Sequence, residues 1–116
     1  MAPEQALAKR VAVDHRADIY SLAATLYELL TLQSAYLAED RRQLLKQIAF
    51  EEPTRPRRVD SQIPAELETI VLKAMSKDRD ERYFSAQELA DDLRRFLDNR
   101  PIQAKPPKTS VAIMEM

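Results

Sequence analysis

Glycine is absent from all 116 residues of the chain, where average usage of about 7% would give roughly eight. A chain without glycine has no G-x-G-x-x-G turn, no P-loop and no nucleophile elbow. Each of these needs a residue without Cβ where backbone meets phosphate or turns sharply. Cysteine is also absent, which excludes disulfides, thiolate metal sites and cysteine nucleophiles and accords with a cytoplasmic setting. Neither sign of charge is in excess: 18 Lys plus Arg against 19 Asp plus Glu leave a net charge of −1. Such a chain has no global field to draw nucleic acid or an anionic membrane. No apolar run nears the roughly 20 residues that span a bilayer, and the first residues are not a signal peptide. The expectation is a soluble, cytoplasmic protein with no nucleic-acid partner and no membrane segment.

What is present suits one small domain. The chain is 45% hydrophobic and 32% charged, enough apolar material for a modest core and not a disordered composition. Between Ala17 and Thr31 the residues Ile19, Leu22, Ala23, Leu26, Tyr27, Leu29 and Leu30 recur at helical spacing and cover more than one face. A helix of that kind wants neighbours on most sides. A second, amphipathic helix is expected to start near Glu39 or Asp40, with Leu44, Leu45, Ile48 and Ala49 on its stripe. Pro53, Pro56 and Pro64 then point to an extended connection from Glu51 to Pro64.

Pro64 suits the first position of a third helix carrying Leu67, Ile70, Val71, Ala74 and Met75 and ending near Ser76. After the polar stretch 77–82, Ser85 and Glu88 form a capping box. The helix it opens is expected to turn Leu89, Leu93, Phe96 and Leu97 inward and Asp91, Asp92, Arg94 and Arg95 outward. Residues 100–116, with three prolines and scattered lysines, read as a flexible tail. The predicted fold is therefore all-α, with about four main helices and no strand.

No residue stands out as catalytic, cofactor-binding or metal-ligating. His15, the single histidine, lies between Asp14 and Asp18 without further ligands or a triad and reads as a surface or capping residue. Asp78, Asp80 and Glu81 open like a calcium loop but lack its glycine and its spaced glutamate, and read as a solvated acidic loop. Arg55, Arg57 and Arg58 form a small basic patch without interleaved aromatics, in keeping with a solvated linker.

Four blocks, in order, resemble the C-terminal lobe of a bacterial eukaryotic-like serine/threonine protein kinase. Ala2-Pro3-Glu4 resembles the A-P-E motif that closes the activation segment. Asp14 through Thr31 is similar to the buried central helix of the family. The stretch from Ile63-Pro64 to Lys77-Asp78 resembles the helix before its invariant arginine, and Arg82-Tyr83-Phe84-Ser85-Ala86-Gln87-Glu88-Leu89 resembles its R-x-x-S-A-x-E-L run. The resemblance covers about residues 1 to 103 and implies a partial kinase domain over 1–99, without the N-terminal β-lobe.

The resemblance implies structural roles for three residues. Glu4 and Arg82 would be the buried ion pair joining activation segment to helical lobe, and Asp18 the acid at the head of the central helix that holds the catalytic loop. By order alone, the helix from about Asp40 to Phe50 matches the family's docking helix. The intact family transfers the ATP γ-phosphoryl group to Ser or Thr hydroxyls of protein substrates with Mg²⁺. Its Gly-rich loop, strand lysine, H-R-D loop and D-F-G aspartate do not occur in this sequence.

Three expectations follow: an inactive fragment with no cofactor of its own, an N-terminal kinase portion as its missing partner, and a tendency to self-associate. The alternative is a free-standing helical interaction module derived from a kinase lobe. Met1 stands where the family has a methionine before A-P-E, which implies a start inside a longer kinase gene, and the DNA upstream is then expected to encode H-R-D and D-F-G. Ala23 and Leu32 stand where the family favours glycine, within the central helix and at its end.

Overall fold

The computed structural model describes residues 2–3 and 15–106. Met1, Glu4 and the 107–116 part of the expected tail lie outside the described residues. The helices are, in order, α1 (Arg16–Thr31), α2 (Arg41–Phe50), α3 (Pro56–Val59), α4 (Ala65–Ala74) and α5 (Ala86–Leu97), with a 3-10 turn at Arg79–Glu81. There is no strand among the described residues.

α1 is the centre. It packs on α3 and α4, and α4 packs in turn on α5. Its inner face buries Ala17, Ile19, Tyr20, Ala23 and Tyr27, which join Ile70, Val71, Ala74 and Met75 of the α4 segment and Leu89 of α5 in one core. Ala2 of the A-P-E block is fully buried in that core. The outer face of α1 is not enclosed: Leu22 is 54% and Leu29 70% exposed. α1 ends at Leu32, which takes a left-handed φ of 59° while its N–H donates to the Glu28 carbonyl at 2.8 Å. This is the cap geometry glycine favours. Ala23 is buried and borders an open groove, so its methyl group has room.

α2 begins where Asp40 accepts the Gln43 N–H at 2.8 Å, while the Gln43 side chain accepts the Glu39 N–H at 2.9 Å. The two caps satisfy donors that an α-helix leaves orphaned at its start.

The stretch 51–64 differs from the extended connection expected of it, because α3 forms a helical turn there. Pro56 sits at the first helical position, where a missing N–H costs nothing. Two contacts hold the segment: the Tyr27 hydroxyl donates to Thr54 O at 2.6 Å, and buried Glu68 accepts the Arg57 N–H at 2.8 Å. α4 starts one residue after Pro64, which serves as its N-cap.

α5 opens as expected, with Ser85 accepting the Glu88 N–H at 3.2 Å. Glu88 reaches back to the N–H of Phe84 rather than of Ser85, at 2.9 Å. Two of its residues differ from the sequence reading: Asp92 is fully buried and Leu97 is 75% exposed. The chain after α5 folds back, with Ile102 packed on the core and Ala104 buried. It covers Asp92, whose carboxylate accepts the N–H groups of Gln103 at 2.8 Å and Ala104 at 3.0 Å. The stretch expected to be a flexible tail from residue 100 is thus fastened to the lobe through Ala104.

Candidate functional site

The polar groups converge on the far ends of α1, α2 and α4, around Arg82. Its guanidinium is buried, 4% exposed as a residue. It donates from Nε to Ser76 O at 2.8 Å, from Nη1 to Arg16 O at 3.0 Å and from Nη2 to Lys77 O at 3.4 Å. It also lies over the Tyr20 ring at 5.1 Å. Arginine suits this post because its planar fork reaches several acceptors at once while stacking on an aromatic face. The fork ties the start of α1 to the loop after α4. Glu4, the partner that the resemblance implies for Arg82, lies outside the described residues.

Asp18 is exposed in the first turn of α1, where its negative charge suits the helix dipole. Its backbone N–H donates to His15 O at 3.1 Å. His15 is exposed at the N-cap position, without a side-chain cap, and its Nε2 bonds the Phe84 carbonyl. The two rings meet edge to face at 5.4 Å, so His15 staples the start of α1 to the approach to α5. Asp78 and Asp80 are likewise structural: Asp78 accepts the Asp80 N–H at 2.9 Å and Asp80 pairs with Arg16 at 2.7 Å. Arg55 lies 3.9 Å from the carboxylate of Glu68.

Two residues that the sequence reading did not single out complete the network. Lys77 is half-buried, and its Nζ donates to Ile48 O at 2.6 Å, to Gln47 O at 3.4 Å and to the Tyr36 hydroxyl. These carbonyls belong to the last turn of α2, where a cation is favourable. Burial pushes the Lys77 ammonium down to about 8; nearby Arg82 lowers it further, against the opposing pull of Glu52 and Glu51. Burial also raises the Tyr36 hydroxyl well above its ordinary value, helped by the Tyr20 hydroxyl 3.2 Å away.

Asp92 is the second. Besides the two backbone N–H groups, it accepts the Tyr83 hydroxyl at 2.6 Å and Arg95 Nη1 at 2.8 Å. Burial alone would raise its carboxyl. The bonds from Gln103, Tyr83, Ala104 and Arg95 outweigh burial and hold it below its ordinary value. Burial, reinforced by Asp92, raises the Tyr83 hydroxyl. A buried acid after a capping box has the same sequence signature as an exposed one. Only the returning chain shows why Asp92 faces inward.

Two hollows flank α1. One, about 430 Å³, lies between α1, the connection 32–40 and α2. The other, about 180 Å³, is lined by Leu22, Leu26 and Leu29 of α1 with Val71, Leu89 and Leu93 across from them. No group of three His, Cys, Asp or Glu able to hold a metal ion occurs among the described residues. No helix among them is long and apolar enough to cross a membrane.

This architecture, a buried central helix clamped by a buried arginine, is that of a protein-kinase helical lobe, and comparison with known proteins agrees. The chain is 40% identical over 104 residues to a probable serine/threonine-protein kinase of Streptomyces coelicolor, SCO3848, a match spanning 90% of this chain. It is 42% identical over 97 residues, 84% of its length, to the tyrosine-protein kinase MasK of Myxococcus xanthus. To the serine/threonine-protein kinase PknB of Mycolicibacterium smegmatis it is 38% identical over 93 residues, 80% of its length. In each case the match spans 15% of the relative. No protein-family profile matches the chain. The chain belongs with the bacterial eukaryotic-like protein kinases and corresponds to part of their helical C-terminal lobe.

Proposed function

We infer that residues 1–99 are a partial kinase domain, the C-terminal lobe of a serine/threonine kinase, and that the chain by itself transfers no phosphoryl group. In the intact family the lobe would complete an enzyme that moves the ATP γ-phosphoryl group to protein hydroxyls in the cytoplasm, with Mg²⁺. The residues of this chain do not fit ATP or Mg²⁺. It contains no glycine for a phosphate loop and no D-F-G or H-R-D motif. Its contribution is structural: Arg82 fixes the lobe, and Asp18, exposed at the head of α1, is free to accept backbone N–H groups of a catalytic loop.

The observation that carries this reading is the wholly apolar groove along the outer face of α1, where Leu22 and Leu29 stay exposed. Leucines exposed side by side on a central helix mark a face made for covering. The remaining kinase portion is the proposed cover. Sedimentation of the purified chain tests it. The parent is expected to self-associate and the variant Leu22→Glu/Leu29→Glu to sediment as a monomer. A parent that is monomeric and melts cooperatively would instead favour the free-standing interaction module, a reading supported by the dense hydrogen bonding around Arg82 and Asp92.

A further inference from the structure

The hollow of about 430 Å³ beside α2 has the size of a ligand pocket and no role in holding the lobe together. It exists because the connection 32–40 lines it with small side chains, among them Ser34, Ala35 and Ala38. Close-packed interiors leave no such volume, so this one is open to an occupant. Its floor is apolar, built on Ala24, Leu44 and Ile48, with the Tyr20–Tyr36 hydroxyl pair alongside.

The rim has one sign of charge. Glu28, Glu39 and Asp40 line the hollow, and none of its lining residues is basic. Asp40 Oδ1 accepts the Gln43 N–H as the cap of α2. Glu28 and Glu39 are exposed, and no described hydrogen bond or ion pair engages their carboxylates. Nearby cations do not neutralise this rim. Arg41 and Arg42 are exposed outside the lining, and the Lys77 ammonium is directed at the Ile48 carbonyl and the Tyr36 hydroxyl. An apolar floor under a negative rim favours a cationic head on a short apolar body and repels phosphate or carboxylate.

We propose that this cleft docks an extended segment of another protein that carries an arginine or lysine beside an apolar residue. That the partner is a kinase substrate or regulator rests on the kinase-lobe reading; the cleft and its charge do not.

The test is an amide-shift titration of the full isotope-labelled chain with short capped peptides containing Arg-Leu, Glu-Leu or Arg-Ser. Shifts are expected at Ala24, Ala35, Ala38 and Leu44, with Arg-Leu binding about tenfold more tightly than Glu-Leu, the scale expected of a few exposed ion pairs. Arg-Ser, lacking the apolar body, is expected to bind more weakly than Arg-Leu. Glu28→Gln/Glu39→Gln alters exposed side chains outside the core and is expected to keep the spectrum while abolishing the charge preference. Ala38→Leu, at the half-exposed mouth, is expected to weaken every peptide. Several outcomes would overturn the proposal: no shifts localised to the cleft, equal affinity for Arg-Leu and Glu-Leu, a preference that survives the double variant, or a second copy of the chain occupying the cleft. A chain that fails the phosphoryl-transfer and sedimentation tests yet shows the charge-selective shifts would keep the cleft and lose only the partner's identity.

Discussion

Asp92 shows how much one side chain can decide. Its carboxylate gathers four donors from Tyr83, Arg95, Gln103 and Ala104. Asp92→Asn removes the charge and sets an amide against these donors, so a loss of about 2 kcal/mol in denaturant unfolding is expected. Hydrogen exchange at Gln103 and Ala104 should accelerate more than elsewhere.

Lys77 gives the stability a pH signature. Its ammonium titrates near 8 in the folded lobe against 10.5 in a free chain. Between those values the unfolded state holds the extra proton, so stability rises with pH from about 8. Near pH 10 the sign reverses, because Tyr36 and Tyr83 keep their protons only in the folded state. Thermal melts across pH 7 to 10 should show the rise, and Lys77→Met should abolish it. Neither residue was legible as special in the sequence. A lone lysine and an i+3 acid–base pair look solvent-facing until the end of α2 and the returning segment 100–104 are in place.

The helices themselves were largely legible, because spacing and caps are local. The apolar recurrence from Ile19 to Leu30 gives α1, and Ser85 with Glu88 marks the start of α5. The connection 51–64 was not, since a proline that breaks one helix opens another. The one-turn α3 also depends on Glu68, which is distant in sequence. At the end of α1, Leu32 is 89% exposed in a left-handed conformation. Leu32→Gly relieves roughly 1 kcal/mol of backbone strain, partly offset by the greater freedom of glycine in the unfolded chain. A net gain of about 0.5 kcal/mol is expected in thermal or urea unfolding, because the leucine side chain has almost no packing to lose.

At the scale of the whole molecule, the kinase resemblance was legible from the order of four blocks, and the relatives bear it out. The exposure of the outer face of α1 was not. The sequence shows leucines around the helix but cannot show which of them the lobe leaves uncovered. Arg82 was singled out correctly as a residue of the lobe's interior, and its carbonyl partners on Arg16, Ser76 and Lys77 became visible only in the fold.

The central claim is that the lobe carries kinase architecture without kinase chemistry. Incubation of the purified chain with Mg²⁺, γ-labelled ATP and a generic serine/threonine protein substrate tests it most directly. The account predicts no label transfer above buffer. Robust transfer that copurifies with the chain, and is lost when Arg82 or Asp18 is replaced, would contradict it.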